Sequence, residues 1–172
     1  MYEIEELQQH NNDKEYFIKA VQEQGTYLEL ASPELQDDEQ IVMAAVTENG
    51  EALEFASNRL KDNKEIVLKA LEHWGWVACY ASDKLKDDKE VILKAVKQDG
   101  QELYYAGQEL RNDKEVVLEA VKNKGIILKY ASKELRADKE IAIAALTQSK
   151  KAKSYVCEEV LNDEDIQNIL NQ

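Results

Sequence analysis

The chain has 172 residues, of which 44% are hydrophobic, and a formal net charge of −13. This length suits a single domain with a continuous core. The negative charge argues against nucleic acid and anionic membrane surfaces as partners, because both attract cationic proteins. Basic peptides or proteins are the partners that the overall charge favours.

The first twelve residues, MYEIEELQQHNN, lack the basic start and the apolar run of a secretory signal. No apolar run in the chain approaches the length of a membrane span. These features predict a cytoplasmic protein, although a C-terminal signal for specialised export would escape this test. Residues 1–12 match the pattern described next only poorly, and we expect Ile4 and Leu7 to cover the open end of the first repeat.

The stretch from Asp113 to Ala137 contains the pattern on which the chain is built. Asp113 is a good helix N-cap, and Glu115 complements the helix dipole in the first turn. Apolar residues follow at helical spacing until Gly125, which we predict to end the helix in the left-handed conformation. A second apolar stripe then follows at helical spacing, formed by Leu128, Ala131 and Leu135. The stretch therefore predicts a helical hairpin.

The same pattern recurs every 25 residues without an insertion. Its cap residues are Asp13, Asp38, Asn63, Asp88, Asp113, Asp138 and Asp163. Its glycines are Gly25, Gly50, Gly75, Gly100 and Gly125, with Lys150 in the sixth repeat, and its small residues are Ala31, Ala56, Ala81, Ala106 and Ala131, then Val156. One hairpin cannot bury its apolar face alone, so successive repeats should stack. We predict an all-α solenoid of six 25-residue helical hairpins over residues 13–162, with capping segments at 1–12 and 163–172, in one domain.

Several features of the repeats allow more than one interpretation. The second helix contains an aromatic column that either packs against the next repeat or forms an exposed ladder. Its residues are Leu30, Phe55, Tyr80, Tyr105, Tyr130 and Tyr155. Packing is favoured, since aromatic residues at a fixed repeat position usually belong to the core. We expect the serines beside the alanine column to allow close helix packing. The acidic residues after the caps should complement the helix dipoles. Cys79 and Cys157 should be free, buried thiols.

The third repeat departs most from the pattern. Its turn contains His73, Trp74 and Trp76, where the other repeats have mostly polar residues. Ile126 continues the apolar trend two repeats further along the chain. Because exposed tryptophan is enriched at interaction hot spots, the candidate partner-binding residues are His73, Trp74, Trp76 and Ile126. The alternative is local packing, in which Trp76 fills the space that Ala78 leaves where other repeats have leucine.

The sequence contains little that points to catalysis or to a cofactor. It has no phosphate-binding glycine loop, no paired-cysteine metal motif, no helical zinc motif and no calcium loop. His10 and His73 are the only histidines, and nothing places either beside a second catalytic group. We therefore predict a protein that is not an enzyme and has no cofactor or metal.

The pattern D-K-E-φ-φ-L-x-A-V, then G, then L-x-Y-A-S-x-x-L, where φ is aliphatic, resembles the repeat of domain-of-unknown-function family 4116. Asp88 to Val96 with Gly100 carries part of it, and Asp113 to Val121 with Gly125, Leu128, Tyr130 to Ser132 and Leu135 carries all of it. The resemblance covers residues 13–162 and implies a repeat protein without an assigned activity or catalytic residues.

Three functions remain open from the sequence. The first is a non-enzymatic scaffold that binds a protein or peptide, which the repeats and the aromatic third repeat favour. The second is a structural or spacer array that self-associates. The third, which the sequence favours least, is an enzyme with a polar site in a groove. The sequence does not indicate an oligomeric state.

Overall fold

The structure is a computed structural model that describes residues 2–72 and 75–172. Every secondary-structure element in these residues is helical, as predicted. The α-helices are α1 Ile4–Gln9, α2 Lys14–Glu23, α3 Pro33–Gln36, α4 Glu39–Glu48, α5 Asn58–Lys61, α6 Lys64–Ala70, α7 Asp83–Lys86, α8 Lys89–Gln98, α9 Lys114–Asn123, α10 Lys133–Arg136, α11 Lys139–Gln148, α12 Glu158–Leu161 and α13 Glu164–Asn171. The 3-10 helices are Gly25–Leu30, Gly50–Phe55, Gly75–Tyr80, Gly100–Tyr104, Leu110–Asn112, Gly125–Tyr130 and Lys150–Tyr155.

Each predicted cap residue begins an α-helix, which confirms the predicted helix starts. The side chains of all seven accept backbone N–H groups from the first turn. Asp113, for example, accepts the N–H groups of Glu115 and Val116 at 3.0 and 3.1 Å. These bonds satisfy donors that have no partner inside the helix, so each cap determines where its long helix begins.

The second half of the repeat is not one helix, and the prediction of a two-helix hairpin is wrong in this respect. In the fifth repeat the 3-10 helix Gly125–Tyr130 ends at Ala131, whose backbone is extended, and Ser132 then caps the short helix α10. A repeat therefore consists of a long α-helix, a 3-10 helix and a short α-helix. Pro33 fits this plan because it occupies the first turn of α3, where its missing N–H costs nothing.

The repeated glycine has a different role from the one predicted. None of the described glycines has a positive φ, so left-handed helix ends are not its purpose. A Cβ atom on Gly100 would overlap the carbonyl oxygen of Ala120, in the long helix of the next repeat. The N–H of Gly100 also donates to Asn123 in that repeat, at 2.9 Å. The glycine is thus required because the next repeat approaches the backbone closely.

The chain divides into two compact units, residues 1–85 and residues 86–172. Within each unit, consecutive long helices pack side by side and consecutive 3-10 helices do the same. The small-residue column is buried in both units, with exposed fractions between 1 and 8%. In the first unit Leu7 is fully buried, whereas Ile4 is 61% exposed, so only Leu7 of the expected pair covers the first repeat.

The serine column joins neighbouring repeats by hydrogen bonds, a role that was not predicted. The hydroxyl of Ser82 donates to Asp62 of the preceding repeat at 2.6 Å, and that of Ser132 donates to Asn112 at 2.6 Å. Each hydroxyl also accepts the backbone N–H three residues later and so caps the short helix. The same side chain therefore holds two repeats together and begins a helix.

Lysines beside the caps form a second set of links. Lys89 pairs with Asp113 at 2.8 Å, and Lys139 pairs with Asp163 at 2.9 Å, each reaching the cap of the next repeat. The Lys139 ammonium lowers the pKa of the Asp163 carboxyl, which favours its charged form at the helix N-terminus. Lys139 also pairs with Asp165, a member of the acidic column in the first turn of α13, at 2.8 Å.

Two further findings concern features outside the repeat contacts. Cys79 and Cys157 are free, as expected, but both are half-buried instead of buried. None of the helices in the described ranges is long and apolar enough to cross a membrane.

Candidate functional site

The predicted aromatic patch is described only in part. His73 and Trp74 lie outside the described residues. Trp76 lies in the first unit, on the 3-10 helix Gly75–Tyr80, with 37% of its surface exposed. Its ring centre is 6.3 Å from that of Tyr80, in an edge-on arrangement. Ile126 belongs to the second unit, and it lies in a different aromatic surface that is described next.

The second unit contains a surface groove lined by tyrosines, which we call the tyrosine groove. Its main residues are Tyr104, Tyr105, Lys124, Ile126, Lys129 and Tyr130. The ring centre of Tyr104 is 5.0 Å from that of Tyr105 and 4.9 Å from that of Tyr130. Tyr104 is 50% exposed and Tyr105 is 38% exposed. Three aromatic rings thus share one exposed surface, together with an aliphatic side chain and two lysines.

The backbone of the 3-10 helices explains why these side chains meet. A 3-10 helix has three residues per turn, so Ile126 and Lys129 lie on the same line along Gly125–Tyr130. Gln101 and Tyr104 occupy the equivalent line on the neighbouring 3-10 helix Gly100–Tyr104, which packs against it. The repeat therefore places the same two exposed positions of adjacent 3-10 helices side by side.

The backbone beneath the groove is fixed by an arginine. The guanidinium of Arg111 donates to the carbonyl oxygens of Tyr104 and Ala106, at 2.8 Å each. In the second repeat Lys61 makes a similar bond to the carbonyl of Glu54. Bonds of this kind hold the end of the 3-10 helix in place, so Tyr104 and Tyr105 project from an ordered backbone.

The electrostatic surroundings of the aromatic column differ between the two units. In the first unit, burial and a hydrogen bond to the Glu54 carboxylate raise the pKa of Tyr80 to about 12. In the second unit, the ammonium of Lys129 lies 4.6 Å from the ring centre of Tyr130 and interacts with its π-face. A hydrogen bond with Tyr130 raises the pKa of Lys129, so this ammonium stays charged. The groove is therefore aromatic and cationic.

Ile126 was predicted from the sequence, whereas its neighbours Tyr104, Lys124 and Lys129 were not. The aromatic column itself is partly exposed, since Tyr105 lies at the surface while Tyr130 is half-buried, so neither expected extreme describes it. The sequence does contain a signal that could have indicated the groove. The residue before each aromatic varies strongly among repeats, from Glu29 and Glu54 to Tyr104 and Lys129.

Other surfaces of the described chain are less suited to a specific ligand. An open groove between α2 and α4 is lined by Ile18, Met43, Ala44 and polar side chains, without an aromatic ring. No group of three or more His, Cys, Asp or Glu side chains could hold a metal ion within residues 2–72 and 75–172. The tyrosine groove is the best candidate for a binding site.

The helices and their contacts define a tandem-repeat protein. The model of the family described as Domain of unknown function (DUF4116) matches residues 13–61, 63–111 and 113–161. These matches cover most of the chain, and the protein belongs to this family. Each match of 49 residues spans two of the 25-residue repeats. No curated protein and no solved structure significantly matches the chain.

Proposed function

We propose that the protein is a non-enzymatic repeat scaffold of the solenoid type that binds a protein or peptide in the tyrosine groove. The observation that carries this proposal is the exposed cluster of Tyr104, Tyr105 and Tyr130 beside Ile126. Tyrosine offers a large, rigid contact surface with a polar end, which is why it is enriched at interaction hot spots. Stacked repeats commonly provide extended surfaces for such partners.

The chemistry of the groove supports binding more than catalysis. Its polar groups are lysines, tyrosine hydroxyls and an amide, and they include no carboxylate or imidazole to serve as a base at neutral pH. Lys129 is an exposed ammonium whose pKa is raised further by its hydrogen bond with Tyr130, which makes it a poor nucleophile at neutral pH. An aromatic groove with fixed cations can recognise a ligand through apolar contact, hydrogen bonds and charge without changing it.

A displayed library of random peptides can test the proposal. The intact chain is used for selection, and each selected peptide is then measured against a Tyr104→Ser, Tyr130→Ser double variant. We expect the double variant to lose at least tenfold in affinity, because two aromatic contacts are removed. A Trp76→Ser variant serves as a matched control, since it removes an exposed aromatic residue from the other unit.

The variants separate the possible outcomes. Loss of binding in the double variant alone supports the tyrosine groove. Loss in Trp76→Ser alone would move the site to the third repeat and contradict the groove. A library that yields no peptide, together with a mass in light scattering that rises with protein concentration, would favour the self-associating array instead. Circular dichroism of every variant shows whether the helices are retained.

A further inference from the structure

The charges around the tyrosine groove are opposite to the charge of the chain as a whole. The sequence has 35 acidic and 22 basic residues. Yet residues 120–133 and 141–157, which include the 3-10 helices Gly125–Tyr130 and Lys150–Tyr155, contain no Asp or Glu. They contribute the lysines Lys122, Lys124, Lys129, Lys133, Lys150, Lys151 and Lys153. An acidic protein thus carries a local basic surface.

Five of these lysines differ from the lysines beside the caps in having no carboxylate partner, although Lys124 donates to the side-chain oxygen of Gln101. Lys89, Lys114 and Lys139 each pair with carboxylates of the next repeat. Within the part of the chain that the structure describes, no carboxylate lies within ion-pair distance of the five lysines on the 3-10 side: Lys124, Lys129, Lys150, Lys151 and Lys153. Cations without a carboxylate partner are not needed for solubility in a protein of net charge −13, so they call for another explanation.

These lysines border the aromatic groove. Lys124 and Lys129 line it directly. Lys151 occupies the repeat position of Ile126 on the next 3-10 helix, Lys150–Tyr155, which packs against Gly125–Tyr130. Its side chain is exposed. A ligand seated against the tyrosine rings would therefore have cationic groups along one side.

We propose that the tyrosine groove binds an acidic peptide segment, in which an aromatic or aliphatic residue is flanked by carboxylates. This inference rests on the proposed function, and it reverses the expectation of a basic partner that the overall charge suggested. The apolar residue would contact Tyr104, Tyr130 and Ile126, and the carboxylates would pair with Lys124, Lys129 and Lys151. Such complementarity steers association and determines which peptides bind.

The extent of the basic surface favours a short peptide over a long polyanion. Beyond Lys153 the second unit becomes acidic again, with Glu158, Glu159, Asp163, Glu164 and Asp165. A nucleic acid strand that continued past the groove would meet these carboxylates, whereas a short segment with a few acidic residues would not. Single-stranded nucleic acid is the competing ligand that the test includes.

The test measures fluorescence anisotropy of a labelled octapeptide in which Phe and Leu are flanked by three acidic residues on each side. One control peptide has lysines in place of the acidic residues, and another has serines in place of Phe and Leu. The protein variants are a triple groove variant, Lys124→Gln with Lys129→Gln and Lys151→Gln, and a matched triple control, Lys19→Gln with Lys84→Gln and Lys97→Gln. Both triple variants change the net charge equally, but only the first alters the groove.

We expect the acidic octapeptide to bind more tightly than both control peptides and to weaken as salt is raised. The groove variant should bind it about tenfold more weakly, and the control variant about as well as the unchanged protein. Equal binding of the lysine peptide, or no effect of the groove variant, would overturn the inference. Tighter binding of an oligothymidine of twelve nucleotides would overturn the assignment of a peptide.

Failure of the inference about charge can be distinguished from failure of the proposed function. If the displayed library yields peptides that need Tyr104 and Tyr130 but carry no acidic residues, the groove is a peptide site and the inference about charge is wrong. If neither the library nor the octapeptide binds, both proposals fail.

Discussion

The missing side chain of the repeated glycine decides how closely the repeats pack. Gly100 leaves room for the carbonyl of Ala120, and Gly125 leaves room for the carbonyl of Ala145. The clash that any other residue would cause is with the backbone, which cannot move aside as a flexible side chain can. The glycine is thus selected by a contact 20 residues away in the sequence and not by its own turn.

We expect Gly100→Ala to destabilise the protein by about 2–4 kcal/mol, because the added methyl group must displace the following long helix. Thermal or urea unfolding of the two proteins measures this. Lys150→Ala is the matched control, since Lys150 occupies the same repeat position with its side chain exposed, and it should change the stability by less than about 0.5 kcal/mol. Equal stability of Gly100→Ala and the unchanged protein would refute the close approach.

The acceptor residues of the serine links predict a dependence on pH. The Ser82 hydroxyl and then Lys84 lower the pKa of Asp62 below its ordinary value. A carboxyl whose pKa is lower in the folded state stabilises the fold above its unfolded pKa, near 4, and this contribution is lost as the pH falls further. Asp62 therefore stabilises the protein at neutral pH in its charged form.

Asp62→Asn tests this directly, because asparagine keeps the acceptor oxygen and removes the charge. Asn12 and Asn112 occupy the same repeat position and accept from Ser32 and Ser132, so the substitution fits the site. We expect a lower melting temperature than that of the unchanged protein at pH 7, and a smaller difference at pH 3. The same difference at both pH values would show that the charge of Asp62 contributes nothing.

Among the short helices, the one in the fourth repeat shows what a missing cap does. Gly107 stands where Ser32, Ser57, Ser82 and Ser132 cap α3, α5, α7 and α10. Here the chain forms the 3-10 helix Leu110–Asn112 in place of a short α-helix, and Asp87 extends into the space that a side chain at 107 would occupy. The loss of one hydroxyl therefore removes a cap and a link between repeats together.

Gly107→Ser should restore the helix cap and the link between repeats, and it should raise the stability by about 1 kcal/mol, the usual contribution of a serine cap. The side chain of Asp87 is exposed and flexible enough to turn and accept the new hydroxyl. Gly107→Ala is the control, since it restricts the unfolded chain without adding a cap. Equal stabilisation by serine and alanine would mean that the hydroxyl is not bonded, and destabilisation by both would mean that Asp87 cannot move.

At the scale of the whole molecule, the structural features that were predicted correctly are those determined by local interactions. Asp113 and its equivalents cap helices through bonds to residues two and three positions away, which a pattern reveals. Prediction from the sequence failed for Gly100, whose constraint comes from the next repeat. It also took Leu128, Ala131 and Leu135 for one helix, since their spacing fits a helix although the backbone at Ala131 is extended.

The candidate site could be predicted only in outline, because it too depends on contacts between repeats. Ile126 was identified because it departs from the polar residues at its repeat position. The cluster around it depends on which positions of adjacent 3-10 helices meet, and a 3-10 helix was not expected there. Burial of Glu102 was likewise missed, because a charged residue stands among the apolar residues Ala52, Val77 and Ile127 of its column.

The central claim is that a peptide binds in the tyrosine groove, and chemical-shift mapping with the labelled, intact protein tests it most directly. The acidic octapeptide, or a peptide selected from the library, is added stepwise while the backbone amide signals are recorded. The account predicts shifts concentrated in residues 101–105 and 124–130, with the acidic octapeptide also shifting Lys151, and no shifts in the long helices. Shifts concentrated around Trp76, or signals that stay unchanged at peptide concentrations that saturate binding, would contradict it.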